Sequence, residues 1–145
     1  MEIYLVRHTE TVCEKGICYG QADVALREPY LQEFEGIKQQ LSLQEKITIF
    51  SSPLKRCTQL ADFLSNGDFQ TDARLMEMHF GDWELQSWDE IPKEPLNHWM
   101  EDFVSVQVPN GESFVLLYKR VLSFIEDLKR RNIKKAIEFE IERLI

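Results

Sequence analysis

The stretch Ile3-Tyr4-Leu5-Val6-Arg7-His8-Thr9-Glu10 constrains this chain more than any other. Its four apolar residues, β-branched and aromatic side chains among them, read as a short buried β-strand. A fixed cation and an imidazole follow at once. Loops at the carboxyl ends of strands line the ligand crevice of an open α/β sheet, so Arg7 and His8 are expected on a site floor held by a rigid strand. Taken alone, the pair reads equally well as a surface charge beside a hydrogen-bonded core histidine. Only partners elsewhere in the chain decide between the two.

Those partners come from a repeated pattern. Residues 9–28 are loop-like, punctuated by Gly16 and Gly20, and offer polar tips near His8. Pro29 suits a first helical turn, and Leu31, Phe34, Ile37 and Leu41 predict a covering helix from Tyr30 to Leu43. Ile47-Thr48-Ile49-Phe50 is the expected second strand. It runs into Ser51-Ser52-Pro53-Leu54-Lys55-Arg56 and a helix through Leu64, with Ser51 or Ser52 as cap and Leu54, Leu60, Ala61 and Leu64 inward. Arg56 thus repeats the placement of Arg7 at a strand end. A helix N-terminus there already favours an anion, which makes an anion-binding role a better reading than a plain surface charge.

Asn66-Gly67 reads as a turn and Phe69-Gln70-Thr71 as an edge-like strand. In Arg74–Glu84, Glu77 stands among apolar neighbours, with Phe80, Trp83 and Trp88 near it in sequence. Burial would raise its pKa and let it donate a proton near neutrality. His79 could share its face, as a lining residue at most. Residues 87–104 look helical, interrupted by Pro92 and Pro95, and Pro109–Ser113 reads as a loop. A strong amphipathic helix over 113–130 follows, with Val115, Leu116, Tyr118, Val121, Leu122, Ile125 and Leu128 inward. Beyond it, alternation of Ile137, Phe139 and Ile141 with glutamates fits a half-exposed strand. Ile133, Ile137, Ile141 and Leu144 fit a helix as well, and the pattern does not choose.

A length of 145 residues predicts one domain with a real core, and 43% hydrophobic with 29% charged residues is an ordinary globular composition. A net charge of −8 argues against nucleic-acid or anionic-membrane partners, because no basic stripe exists to release counterions. No apolar run approaches the roughly 20 residues of a membrane helix, and Glu2 with its short apolar run shows no signal peptide. The expected location is the cytoplasm. Cys13, Cys18 and Cys57 read as buried thiols in a reducing compartment rather than metal ligands.

A strand-end histidine, two arginines after strands and a semi-buried carboxyl are the groups phosphoryl transfer needs: a nucleophilic imidazole nitrogen, fixed positive charge, and a proton for the leaving alkoxide. Arginine suits the second task because its planar fork pairs two oxygens and keeps its charge. No G-x-S-x-G elbow is present, and no zinc- or magnesium-ligand spacing stands out.

With these residues in view, the chain resembles the histidine phosphatase (phosphoglycerate-mutase-like) superfamily. The match is carried by Arg7-His8-Thr9-Glu10-Thr11, Ser52-Pro53-Leu54-Lys55-Arg56, Glu77–Glu84 and Gly111-Glu112-Ser113, in that order over about residues 1–130. The Gly16–Leu26 loop looks most like the α-ribazole phosphatase branch, which dephosphorylates α-ribazole 5′-phosphate in cobalamin nucleotide-loop assembly. The resemblance implies a three-layer α/β/α sandwich around a mostly parallel sheet and a phosphomonoesterase working through a phosphohistidine. His8 would be the nucleophile, Arg7 and Arg56 would hold the phosphoryl oxygens, and Glu77 would act as proton donor and then as base. Thr9, Glu10, Tyr19 and Gln21 would line the substrate pocket. It implies no metal or organic cofactor, and a small phosphorylated metabolite as partner; oligomeric state, a homodimer included, stays open.

Three departures from the family pattern matter. Thr9 stands where most relatives carry Gly, and Glu14 where many carry a phosphate-contacting Asn, so that its carboxylate repels substrate unless it points away. The family's second essential His, on a turn after a central apolar strand, has no counterpart: no His lies beyond His98. The C-terminal strand or helix is therefore expected to be truncated or altered. Losing one transition-state donor costs about 10²–10³ in rate, about 3–4 kcal/mol. An impaired relative that binds phosphorylated small molecules without turnover is therefore an alternative, and a phosphoglycerate mutase is a separate one.

Overall fold

Parallel strands need connections long enough to hold a helix, and the spacing of apolar runs in this chain supplies them. The computed structural model describes residues 1–41 and 47–139. Strands β1 (Glu2–Val6), β2 (Thr48–Ser51), β3 (Gln70–Thr71) and β4 (Lys135–Phe139) form a sheet in the order β1-β4-β2-β3, with every pairing parallel. Helices α1 (Leu31–Leu41) and α2 (Lys55–Ser65) cover one face, where Phe34, Leu60, Ala61 and Leu64 meet Val6, Ile49 and Ile137. On the other face lie α3 (Lys93–Glu101) and α4 (Phe114–Arg130). There Leu117, Val121, Phe124 and Leu128 pack with Phe50 and Ala136, and Phe124 meets Phe50 edge-on at 5.2 Å. This is the expected three-layer sandwich. Among the described residues, no helix is long and apolar enough to cross a membrane.

Several local expectations are corrected. β1 is not buried along its length: its one strand neighbour among the described residues is β4, and Leu5 is 49% exposed. Leu31 likewise faces out, at the very start of α1. No serine side chain caps α2; Leu54 occupies the cap position, and the Ser52 hydroxyl only accepts a long 3.4 Å bond from its N–H. The helix expected over 87–104 shrinks to α3, with Pro92 at its cap and Pro95 inside its first turn, where a missing N–H costs nothing. In α4 the buried stripe is Leu117, Val121, Phe124 and Leu128, while Tyr118 and Leu122 are exposed. Apolar residues on more than one side of that helix allow two phases, and packing against the sheet selects one. The predicted helix end at Leu43 and the residues Ile141 and Leu144 lie outside the described residues.

The largest correction concerns β4. It is a strand, and it is central rather than half-exposed: it pairs with β1 and β2, and Ala136, Ile137 and Glu138 are all buried. Alternation put Glu138 on a solvent face, but both faces of a central parallel strand are covered. Glu138 sits in register between Leu5 and Phe50, on the α4 side. Its Oε1 has no hydrogen-bond partner among the described residues.

Burial pushes the Glu138 carboxyl up from its ordinary 4.5 to about 7. Between those two values the unfolded chain has released a proton that the folded chain still holds. Stability therefore falls as pH rises through this window and stays lower above it, by about 3 kcal/mol. Glu138→Gln should flatten that slope, read as urea midpoints at pH 5 and pH 8. Equal slopes in the two proteins would contradict the burial.

Candidate active site

The carboxyl end of β1 opens into a cleft of about 500 Å³ whose lining includes Arg7, His8, Thr9, Glu10, Glu14, Lys15, Tyr19 and Glu33. The strand delivers Arg7 and His8 as expected: Arg7 is exposed and His8 is buried. His8 Nδ1 lies 2.6 Å from the Thr9 carbonyl oxygen. A carbonyl only accepts, so Nδ1 carries the proton of this bond. Thr9 is buried beside it, and its hydroxyl has no hydrogen-bond partner among the described residues. Glu10 is paired at 3.8 Å with Arg27 on the exposed side.

The far wall comes from the loop that the two glycines punctuate. Tyr19 lines the cleft, and its hydroxyl accepts a bond from Thr11 at 3.2 Å. Arg56, at the start of α2, is fully buried and stacks on the Tyr19 ring at 5.3 Å. Its Nη1 and Nη2 donate to the carbonyls of Ala22 and Gly20 at 2.8 and 2.5 Å. Burial and the neighbouring Glu14 raise the Cys13 thiol pKa, while the positive charge of Arg56 opposes them. Arg56 therefore acts electrostatically on a cleft residue although it is not itself among the lining residues.

Glu77 and Gln21 do not line the cleft either. Glu77 is buried, as the aromatic surroundings suggested, and its Oε1 accepts from the Met78 N–H at 2.6 Å. Gln21 Nε2 donates to the Glu77 carbonyl at 3.0 Å, tying the two segments together. His79 does not share that face toward the cleft; its Nδ1 accepts from the Gly81 N–H at 2.8 Å. The structure thus gathers Arg7, His8, Thr9, Glu10 and Tyr19 in one cleft; Arg56 stacks on the lining residue Tyr19, while Gln21 and Glu77 lie outside the lining, bonded to each other.

Residues 3–138 match the histidine phosphatase superfamily (branch 1). The chain belongs to this family. Phosphoserine phosphatase 1 of Hydrogenobacter thermophilus is 28% identical, over 94% of this chain and 68% of the relative. The adenosylcobalamin/α-ribazole phosphatase of Salmonella typhimurium is 28% identical, over 88% and 67%. The crystal structure of the α-ribazole phosphatase from Shigella flexneri superposes with a TM-score of 0.85 at 25% identity, covering 96% of this chain and 72% of that one. The chain thus spans about two thirds of the length of the curated relatives it matches, and these relatives are phosphatases, hydrolases of phosphoric monoesters.

Three supporting side chains escaped sequence reasoning as individuals. Glu84 accepts backbone N–H bonds from Gly20, Gln21, Ala22 and Phe80 at 2.8–3.1 Å. Glu112 accepts from His79 N at 2.9 Å and pairs with Arg120 at 2.8 Å. Arg120 in turn donates to the carbonyls of Arg74 and Glu77 at 2.7 and 3.0 Å. Burial pushes the Glu112 carboxyl up, but the bonds from Arg120 and the His79 N–H together outweigh it and hold the group below its usual range. A signal for Arg120 existed: it stands between Leu117, Val121 and Phe124 on the stripe that faces inward. Nothing in the spacing singles out Glu84.

A Cβ on Gly20 would overlap the Met78 carbonyl oxygen and crowd the Phe80 ring, whereas one on Gly36 in α1 meets nothing within 4 Å. Gly20→Ala is expected to cost about 1–3 kcal/mol by overpacking. Gly36→Ala is expected to gain about 0.5–1 kcal/mol in helix propensity. Urea unfolding of both variants checks the contrast.

Proposed function

We propose that the chain is a phosphomonoesterase that passes the phosphoryl group through His8. The observation that carries this reading is the His8 Nδ1 bond to the Thr9 carbonyl on a residue that lines the cleft. That bond makes Nε2 the ring nitrogen able to act as nucleophile. Nε2 attacks phosphorus, the ester P–O bond breaks, and the leaving alkoxide takes a proton from Glu77. Water then attacks the phosphohistidine while Glu77 recovers the proton, the N–P bond breaks, and inorganic phosphate leaves. Arg7 and Arg56 hold the phosphoryl oxygens, the role that a planar, permanently charged fork fills best. Thr9, Glu10, Tyr19 and Gln21 contact the alcohol portion or shape its walls.

Two kinds of relative bear on the substrate. The α-ribazole phosphatases, met among both sequences and solved structures, support α-ribazole 5′-phosphate, and the Gly16–Leu26 loop agrees with that branch. The phosphoserine phosphatase at 28% identity supports a smaller phosphomonoester. A second reading, ligand binding with little turnover, is favoured by one observation: Glu77, the proposed proton donor, is not among the residues that line the cleft.

Incubation with a 32P-labelled phosphomonoester followed by alkaline denaturation should leave acid-labile label on the wild type and none on His8→Asn. Absence of label on the wild type, with phosphate binding retained, would favour the second reading. Glu77→Gln should lower kcat about 10²–10⁴-fold for an alkyl phosphate and far less for p-nitrophenyl phosphate, whose leaving group needs no proton. Equal losses on both substrates would remove Glu77 from the acid role.

A further inference from the structure

We propose that Glu84 is a positioning residue of the phosphoryl site, acting on Arg56 through the Gly20–Ala22 loop; this rests on the phosphatase reading above. Glu84 Oε2 accepts the N–H of Gly20 at 2.9 Å and of Ala22 at 3.1 Å. Its Oε1 accepts the N–H of Gln21 at 2.8 Å and of Phe80 at 3.0 Å. Successive amides aimed at one point form a concavity suited to an anion, and this one is filled by the protein's own carboxylate. The carbonyls of Gly20 and Ala22 accept from Arg56.

One peptide unit joins the two charges directly. Its N–H belongs to Gln21 and bonds Glu84; its carbonyl belongs to Gly20 and accepts from Arg56 Nη2. In a planar trans peptide these two groups point in opposite directions. Fixing the N–H therefore fixes the direction of the carbonyl, and the carbonyl fixes the guanidinium fork. The carboxylate also polarises the peptide toward Arg56, since bonds in such a chain strengthen one another. The same carboxylate holds Phe80 N–H, three residues beyond Glu77, and Gln21 Nε2 holds the Glu77 carbonyl. Glu84 thus sets the spacing between the phosphate-holding cation and the segment that bears the proton donor, without touching the substrate.

A double-mutant cycle tests this, with the affinity for inorganic phosphate read by calorimetry and kcat/KM read on p-nitrophenyl phosphate. Glu84→Gln keeps the shape but turns an amide NH₂ toward backbone donors, and should weaken phosphate binding on the order of tenfold. In an Arg56→Lys background the same change should cost less than about twofold, because the fork it orients is gone. A loss of equal size in both backgrounds, or none in the wild-type background, overturns the proposal. Melting temperatures identify any variant that has lost its fold; should Glu84→Gln be one, Glu84→Asp, charged but a methylene short, replaces it in the cycle under the same criteria. A wild type without phosphate affinity would instead refute the phosphatase reading, and the inference with it.

Discussion

A guanidinium sealed from water is tolerable only where other dipoles replace its hydration. Arg56 meets that condition with the carbonyls of Gly20 and Ala22 and the face of Tyr19. The wall of the cleft depends on this exchange. Carbonyls can be presented to Arg56 only if the matching amides are satisfied elsewhere, and Glu84 satisfies them. The loop also passes so close to Met78 and Phe80 that residue 20 has to be glycine. A buried cation, a carboxylate and a strand of backbone between them form one unit, and removing any member leaves the others with unpaired polar groups.

The second buttress is built the same way from different parts. Arg120 and Glu112 pair beneath the segment carrying Glu77, and their remaining donors and acceptors hold its backbone at Arg74, Glu77 and His79. Glu77 sits on irregular chain, where local hydrogen bonding is least self-sufficient. Such a segment keeps one conformation only when side chains from elsewhere satisfy it. On a chain carrying a net charge of −8, long-range attraction of an anion is weak, so these short fixed contacts must do what a broad positive field does elsewhere.

What could be read in the sequence follows from how local each feature is. The strand that ends in Arg7-His8, the turn into α2 and the inward face of that helix are set by a few consecutive residues, and all three appear where the pattern put them. The phase of α4 is not legible locally because Tyr118 and Leu122 are as apolar as the residues beside them; only the surface they pack on distinguishes inside from outside. Of the two patterns that fit residues 133–141, the alternating strand puts Glu138 outward, yet position in the sheet, which no window of sequence contains, buries it. The loop amides that Glu84 holds at Gly20, Gln21 and Ala22 lie 62–64 residues away along the chain, a separation over which periodicity carries no information.

The strand order has a consequence for how such a chain is made. β1 carries the residues that lead into the cleft, and among the described residues its one strand partner is β4, which follows it in the chain only after β2 and β3. On the ribosome, β2, β3 and their helices emerge long before that partner exists. The N-terminal strand must therefore wait, its apolar residues unshielded, until translation reaches Lys135–Phe139. Pairing over so great a contour distance closes slowly, and until it closes the apolar side chains of β1 face water.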